Sequence, residues 1–114
     1  LKKGFPQIIR DLPEADIKFE GVRGWIAQGE NHQILFFEMG PLGEVSEHSH
    51  ESPQWGIVVE GEIALTINNT TTVYESGDEY LIPAGAKHSA KFKTHVRVID
   101  FFNEKERYKP KPPQ

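Results

Sequence analysis

Short runs in which apolar and polar positions alternate recur along nearly the whole chain, and they predict strands. "GWIAQG" and "HQILFFEMG" are apolar runs bounded by glycine. In "EIALTINNTTTVY", Ile63, Leu65 and Ile67 share one face before Asn68-Asn69, a pair that tolerates the positive φ of a tight hairpin turn. "QWGIVV", "DEYLIP" and "HVRVIDFF" read as further strands, with Gly77-Asp78 and "PAGAKH" as turns among them. No segment keeps a helical period over three turns, and there is no internal repeat. Many short strands at this spacing predict an all-β sandwich or barrel. The closing "KPKPPQ" is expected to be a loosely ordered tail.

Composition narrows the possibilities. A chain of 114 residues is one domain with room for one site. Its net charge is −4, and lysine and arginine are scattered apart from "KERYKPKPP", so no basic face invites nucleic acid. The absence of cysteine removes disulfides, thiolate zinc sites and thiol catalysis together. No apolar run approaches a membrane span, and "LKKGFPQIIRDLPEAD" lacks the apolar core and cleavage site of a signal peptide. A cytoplasmic domain without membrane partners is the expectation.

Candidate chemistry begins at "EHSHESPQWGIVVEG", residues 47–61. On a strand, His48 and His50 would project from one face about 6.7 Å apart and could lean onto one ion. Neutral imidazole is a common ligand of divalent first-row metals. H-x-H alone is more often simply a pair of polar loop residues before a strand. A second signal lies in "RVIDFF": Val98, Asp100 and Phe102 share the face expected to be buried, opposite Arg97, Ile99 and Phe101. A buried carboxylate requires a reason. Either Asp100 pairs at a sheet edge, or it acts as an acid or base. The aromatic residues Trp25, Phe36, Phe37, Trp55 and Tyr80 suit a core or a pocket wall. His32 and His95 lie in polar turns and are expected at the surface.

His48, His50, Gln54 and Gly61 fit the spacing H-x-H-x(3)-[E/Q]-x(6)-G, and Gly77, Pro83, Gly85 and His88 fit G-x(5)-P-x-G-x(2)-H. Over roughly residues 34–102 the chain resembles the cupin superfamily. The resemblance implies a small antiparallel β-barrel of jelly-roll type holding one divalent transition metal on His48, His50, Gln54 and His88. It divides the chain into an arm with first strands (1–33), a barrel core (34–102) and a Pro/Lys tail (103–114). Three departures stand out. Four residues separate Gly43 from His48 where the family has five, and Phe92 stands where the family has asparagine, which suggests packing. The third is Gln54 in place of glutamate. Three imidazoles and an amide leave a divalent site with a charge near +2, more Lewis acidic and attractive to a chelating anion.

A closer resemblance is to the small cupins of pectin and alginate breakdown that open 4,5-unsaturated uronates to linear keto acids. It maps their substrate-side aspartate, phenylalanine and arginine onto Asp100, Phe102 and Arg107; Tyr80, from the aromatic residues above, is the further candidate for binding the substrate. The arginine spacing differs by one, and the proline usual in that segment is missing. The implied protein is a metal-dependent, isomerase- or lyase-like enzyme of carbohydrate metabolism: Asp100 moves a proton and Arg107 steadies the acid group. Zinc, nickel, iron and manganese are not distinguished, because imidazole suits them all. An iron-dependent dioxygenase and a non-catalytic small-molecule sensor are the alternatives. A homodimer covering exposed strand edges is expected.

Overall fold

The computed structural model describes residues 4–113. Nine strands form two antiparallel sheets: β1 (Val22–Gln28), β2 (Gln33–Met39), β3 (Gly43–His48), β4 (Gln54–Glu60), β5 (Glu62–Ile67), β6 (Thr70–Glu75), β7 (Glu79–Ile82), β8 (His88–Phe92) and β9 (Val96–Phe102). One sheet has the order β1-β2-β9-β4-β7 and the other β3-β8-β5-β6. This is the jelly-roll barrel, and its core fills the space between the sheets.

Alternation decides which side chains enter that space. In β2 and β9 every second residue is buried, so Leu35, Phe37, Val98 and Phe102 pack inward together with Asp100. Asn68 and Asn69, at φ of 47° and 71°, make the turn between β5 and β6 that their sequence predicts. β8 was not foreseen, and the strand expected through His48 and His50 lies earlier, ending at His48 as β3. β3 and β8 carry glutamate, serine, histidine and lysine among few apolar residues, so they lack a clear apolar alternation. Phe92 does pack: it is 2% exposed and faces Gly43, where a side chain would collide with its ring.

The arm and tail lie across the open edge of β1. A short helix, α1 (Gln7–Arg10), follows Phe5, and both ends of this stretch are tied to Glu38 of β2: Phe5 N donates to Glu38 at 2.8 Å, and Arg10 pairs with Glu38 at 3.0 Å. Ala15 N donates to Gly24 O and Ile26 N to Pro13 O, which satisfies the edge. The tail is held more firmly than its composition suggests. Asp16 N donates to Lys109 O and Lys111 N to Glu14 O, while Glu14 pairs with both Arg23 and Lys111. Proline and lysine side chains do not prevent residues 109–111 from bonding through their backbone.

Candidate metal centre

His48 and His50 do not occupy one strand. His48 ends β3, past an irregularity that begins at Val45, and His50 lies in the connection to β4. The expected same-face strand pair is thus replaced by a strand end and a loop, which bring the two rings to 5.9 Å between centroids. His88 opens β8 directly opposite His48, with their rings 4.2 Å apart. The turn at Pro83–Gly85 sets both outer parts of the site: Gly85, at φ of 75°, donates its N–H to His50 O at 2.9 Å. Ligand atoms of His48, His50 and His88 all lie within 4.8 Å of one another, so the three could hold a metal ion.

The hydrogen bonds around the rings favour that use. Each Nδ1 faces a backbone carbonyl: His48 that of Ser46 at 2.9 Å, His50 that of Ser52 at 2.7 Å and His88 that of Ala86 at 2.9 Å. A carbonyl only accepts, so each Nδ1 carries the proton and each neutral ring keeps a lone pair on Nε2. Such bonds fix the tautomer and aim of a ligating imidazole. Burial also disfavours the charged form of two of them, lowering the pKa of His48 and pushing His88 down to about 4 despite the opposing pull of their carbonyl partners.

Gln54, at the start of β4, is 8% exposed. Its Oε1 stands 3.1 Å from His50 Nε2, and its amide helps to hold down the pKa of the Asp100 carboxyl. Two lone-pair atoms therefore face each other. A cation bonded to both would relieve that repulsion. The donor set fits a divalent metal held by His48, His50, His88 and the Gln54 oxygen.

Asp100 reaches the same cavity from β9. It is 2% exposed, accepts from Tyr80 Oη at 2.6 Å, and burial pushes its carboxyl up to about 7 against the pull of the Tyr80 and Gln54 donors. Phe102 lies one inward step along β9, with its ring 5.6 Å from that of His50. The Arg107 guanidinium sits 4.5 Å from the Tyr108 ring centroid and 5.8 Å from that of Phe102, with Nε buried and unpaired. Its charge contributes to lowering both His48 and His88.

Of the other aromatics, Phe37 and Tyr80 line the cavity. Trp55 lies exposed on the outer sheet face, Trp25 is buried beside Arg10 and Arg23, and Phe36 meets Phe5. His95 is exposed, whereas His32 is half-buried and stacks on Phe101 at 5.1 Å.

Sequence reasoning overlooked three contributors. Gly56 lies opposite both Tyr80 and Asp100 in the sheet, and a Cβ there would strike both side chains. Its absence lets them meet. A glycine inside "QWGIVV" was the available signal of such a close approach. Tyr108 lines the cavity and is anchored by Gln33, whose Nε2 donates to Tyr108 O at 2.8 Å and whose Oε1 accepts from Tyr108 N at 3.0 Å. Gln33 is 1% exposed at an inward position of β2, the same buried-polar signal that marked Asp100.

Comparison with known proteins gives a consistent family picture. The family model described as Cupin domain matches residues 35–102. H2HPP isomerase of Bacillus subtilis is 32% identical over 82 residues, covering 69% of this chain and 34% of that protein; the chain thus spans about a third of the relative's length. Among solved structures, an RmlC-like cupin from Shewanella frigidimarina NCIMB 400 superposes with a TM-score of 0.75 at 22% identity, covering 83% of this chain and 86% of that one. KdgF from Halomonas sp. gives 0.71 at 18% identity, covering 81% and 87%. At those identities the structural likeness concerns the fold.

Proposed function

The chain belongs to the cupin domain family, and from that premise we propose that it is a metal-dependent enzyme that moves a proton on a small chelating carboxylate. The observation that carries this is the position of Gln54: its oxygen faces His50 Nε2 at 3.1 Å, and it lines the same cavity as Asp100, whose carboxyl it helps to hold down. One side chain links the metal donors to a buried carboxylate.

His48, His50, His88 and Gln54 would hold one divalent ion. Bound there, it supplies Lewis acidity, drawing electrons from a carbonyl or ring oxygen beside the substrate carboxylate. The chain's residues do the rest. Neutral donors leave the site cationic, which favours an anionic head group. Arg107, braced on Tyr108 and Phe102, adds positive charge on the same side. Asp100 lies on the cavity wall and serves as the group that removes a proton from, or delivers one to, the carbon beside the activated oxygen. Tyr80 holds its Oδ1 in place.

A 4,5-unsaturated uronate, the substrate implied by the sequence resemblance, carries such a head group in its carboxylate and ring oxygen. A 2-oxo acid carries one too. The H2HPP isomerase relative supports an isomerase-type reaction. The donor set contains no carboxylate ligand, unlike the two-histidine, one-carboxylate arrangement of many iron oxygenases, which weighs against oxygen chemistry.

The test uses the protein loaded with zinc or nickel. Deuterium uptake at C3 of a 2-oxo acid in heavy water, read by mass spectrometry, or loss of the uronate's ultraviolet absorption should exceed the protein-free rate. Asp100→Asn should retain metal and lose about 10²–10⁴-fold in rate. Neither reaction above background with the loaded wild type would overturn the proposal.

A further inference from the structure

Resting on that reading of the head group, we infer that the rest of the ligand is compact and apolar: the cavity takes a 2-oxo or 2-hydroxy acid with a short branched hydrocarbon body in preference to a polyhydroxylated sugar acid. The wall itself gives the reason. Hydrogen-bonding groups gather at the metal end, and most of them are already engaged. The Tyr80 hydroxyl is given to Asp100, and the histidine Nδ1 atoms are tied to carbonyls.

Away from that end most of the wall is hydrocarbon, from Val22, Met39, Val45, Ile63, Leu65 and Ala90, with Ser89 and Tyr108 adding one hydroxyl each. None of the six has a side chain able to bond a hydroxyl. They come from both sheets, so a ligand body extending between the sheets meets hydrocarbon on either side. Each sugar hydroxyl moved from water to such a wall without a partner weakens binding by on the order of tenfold. Methyl and methylene groups gain instead, about fourfold for each carbon fully buried.

Size favours a small body. The cavity measures about 50 Å³, its metal end included. On the scale where one water takes up about 10–15 Å³, that is room for roughly three to five water-sized groups. Every added ring atom or hydroxyl therefore counts against a ligand.

Calorimetry on the zinc-loaded protein tests the inference, with metal content measured on the same samples. The probes are oxalate as a head group alone, pyruvate, 2-oxoisovalerate, 2-oxoisocaproate, and D-galacturonate as the hydroxylated comparator. Affinity should rise at least tenfold from pyruvate to 2-oxoisocaproate, and galacturonate should bind more weakly than either branched acid. Ala90→Val, which narrows the hydrocarbon end, should weaken 2-oxoisocaproate several-fold while leaving oxalate within twofold, provided its circular dichroism matches wild type. Equal affinity along the oxo-acid series, or galacturonate binding as tightly as 2-oxoisocaproate, overturns the inference on wild-type protein alone. If no probe binds, it is overturned as well, and the metal content shows what failed: with metal retained the cavity is not the ligand site, and without metal the proposed centre fails too.

Discussion

The Tyr80 hydroxyl donates to Oδ1 of Asp100 across 2.6 Å, from β7 to β9, over the bare backbone of Gly56 on the strand between them. A buried carboxylate thereby gains a short, strong donor, and the glycine gives it room. Three residues on three adjacent strands thus form one device.

Gly56→Ala should be more damaging than its added volume suggests, because the new methyl would displace Asp100 and Tyr80 together. A loss of about 2–3 kcal/mol is expected. Tyr80→Phe removes only the donor and should cost about 1–2 kcal/mol. Urea unfolding of both variants checks the order. A neutral Gly56→Ala would mean that the Tyr80–Asp100 contact has slack that the geometry does not show.

Gln54→Glu should tighten the metal and weaken chelating anions by about 10–100-fold, since a carboxylate neutralises charge facing the ligand. The structure adds a second consequence. Gln54 helps to hold the buried Asp100 carboxyl down, and a carboxylate in its place would repel it, so the metal-free variant should be less stable than wild type by about 1–3 kcal/mol. Oxalate titration and unfolding without metal separate the two effects. Rising oxalate affinity would remove Gln54 from the donor set.

Glu14 provides a pH-dependent tie between the tail and the barrel. Its hydrogen bond to Arg23, and then that to Lys111, hold its carboxyl down at about 2. A depressed acid stabilises the fold above its unfolded pKa, about 4.3, and that contribution fades as pH falls toward 2. Arg23 and Lys111 are half-exposed, so solvent screening limits it to about 1 kcal/mol. The melting temperature of Glu14→Gln should lie below wild type at pH 7 and converge with it near pH 2. A constant gap across that range would assign the difference to packing.

How much of this was legible in the sequence depended on periodicity. Asp100 revealed itself because β9 alternates cleanly and an aspartate falls among Val98 and Phe102. The Asn68-Asn69 turn was equally plain, since positive φ restricts the residues that tolerate it. β8 was obscured because its inward positions are His88, Ala90 and Phe92, where a ligand and a small residue interrupt the apolar signal. The route to His50 was misread for a related reason: two-residue spacing suggested a strand, whereas a loop supplies the second imidazole. Gln33, Gly56 and Tyr108 act through partners far along the chain, such as the bonds from residue 33 to residue 108. Local pattern carries no record of such pairings.

Metal stoichiometry tests the central claim most directly. Protein loaded with zinc, nickel, manganese or iron and then desalted should carry about one ion per chain by elemental analysis, with His50→Ala and His88→Ala each losing most of it while remaining folded by circular dichroism. Wild type that takes up none of the four metals, or variants that retain as much as wild type, would contradict the account.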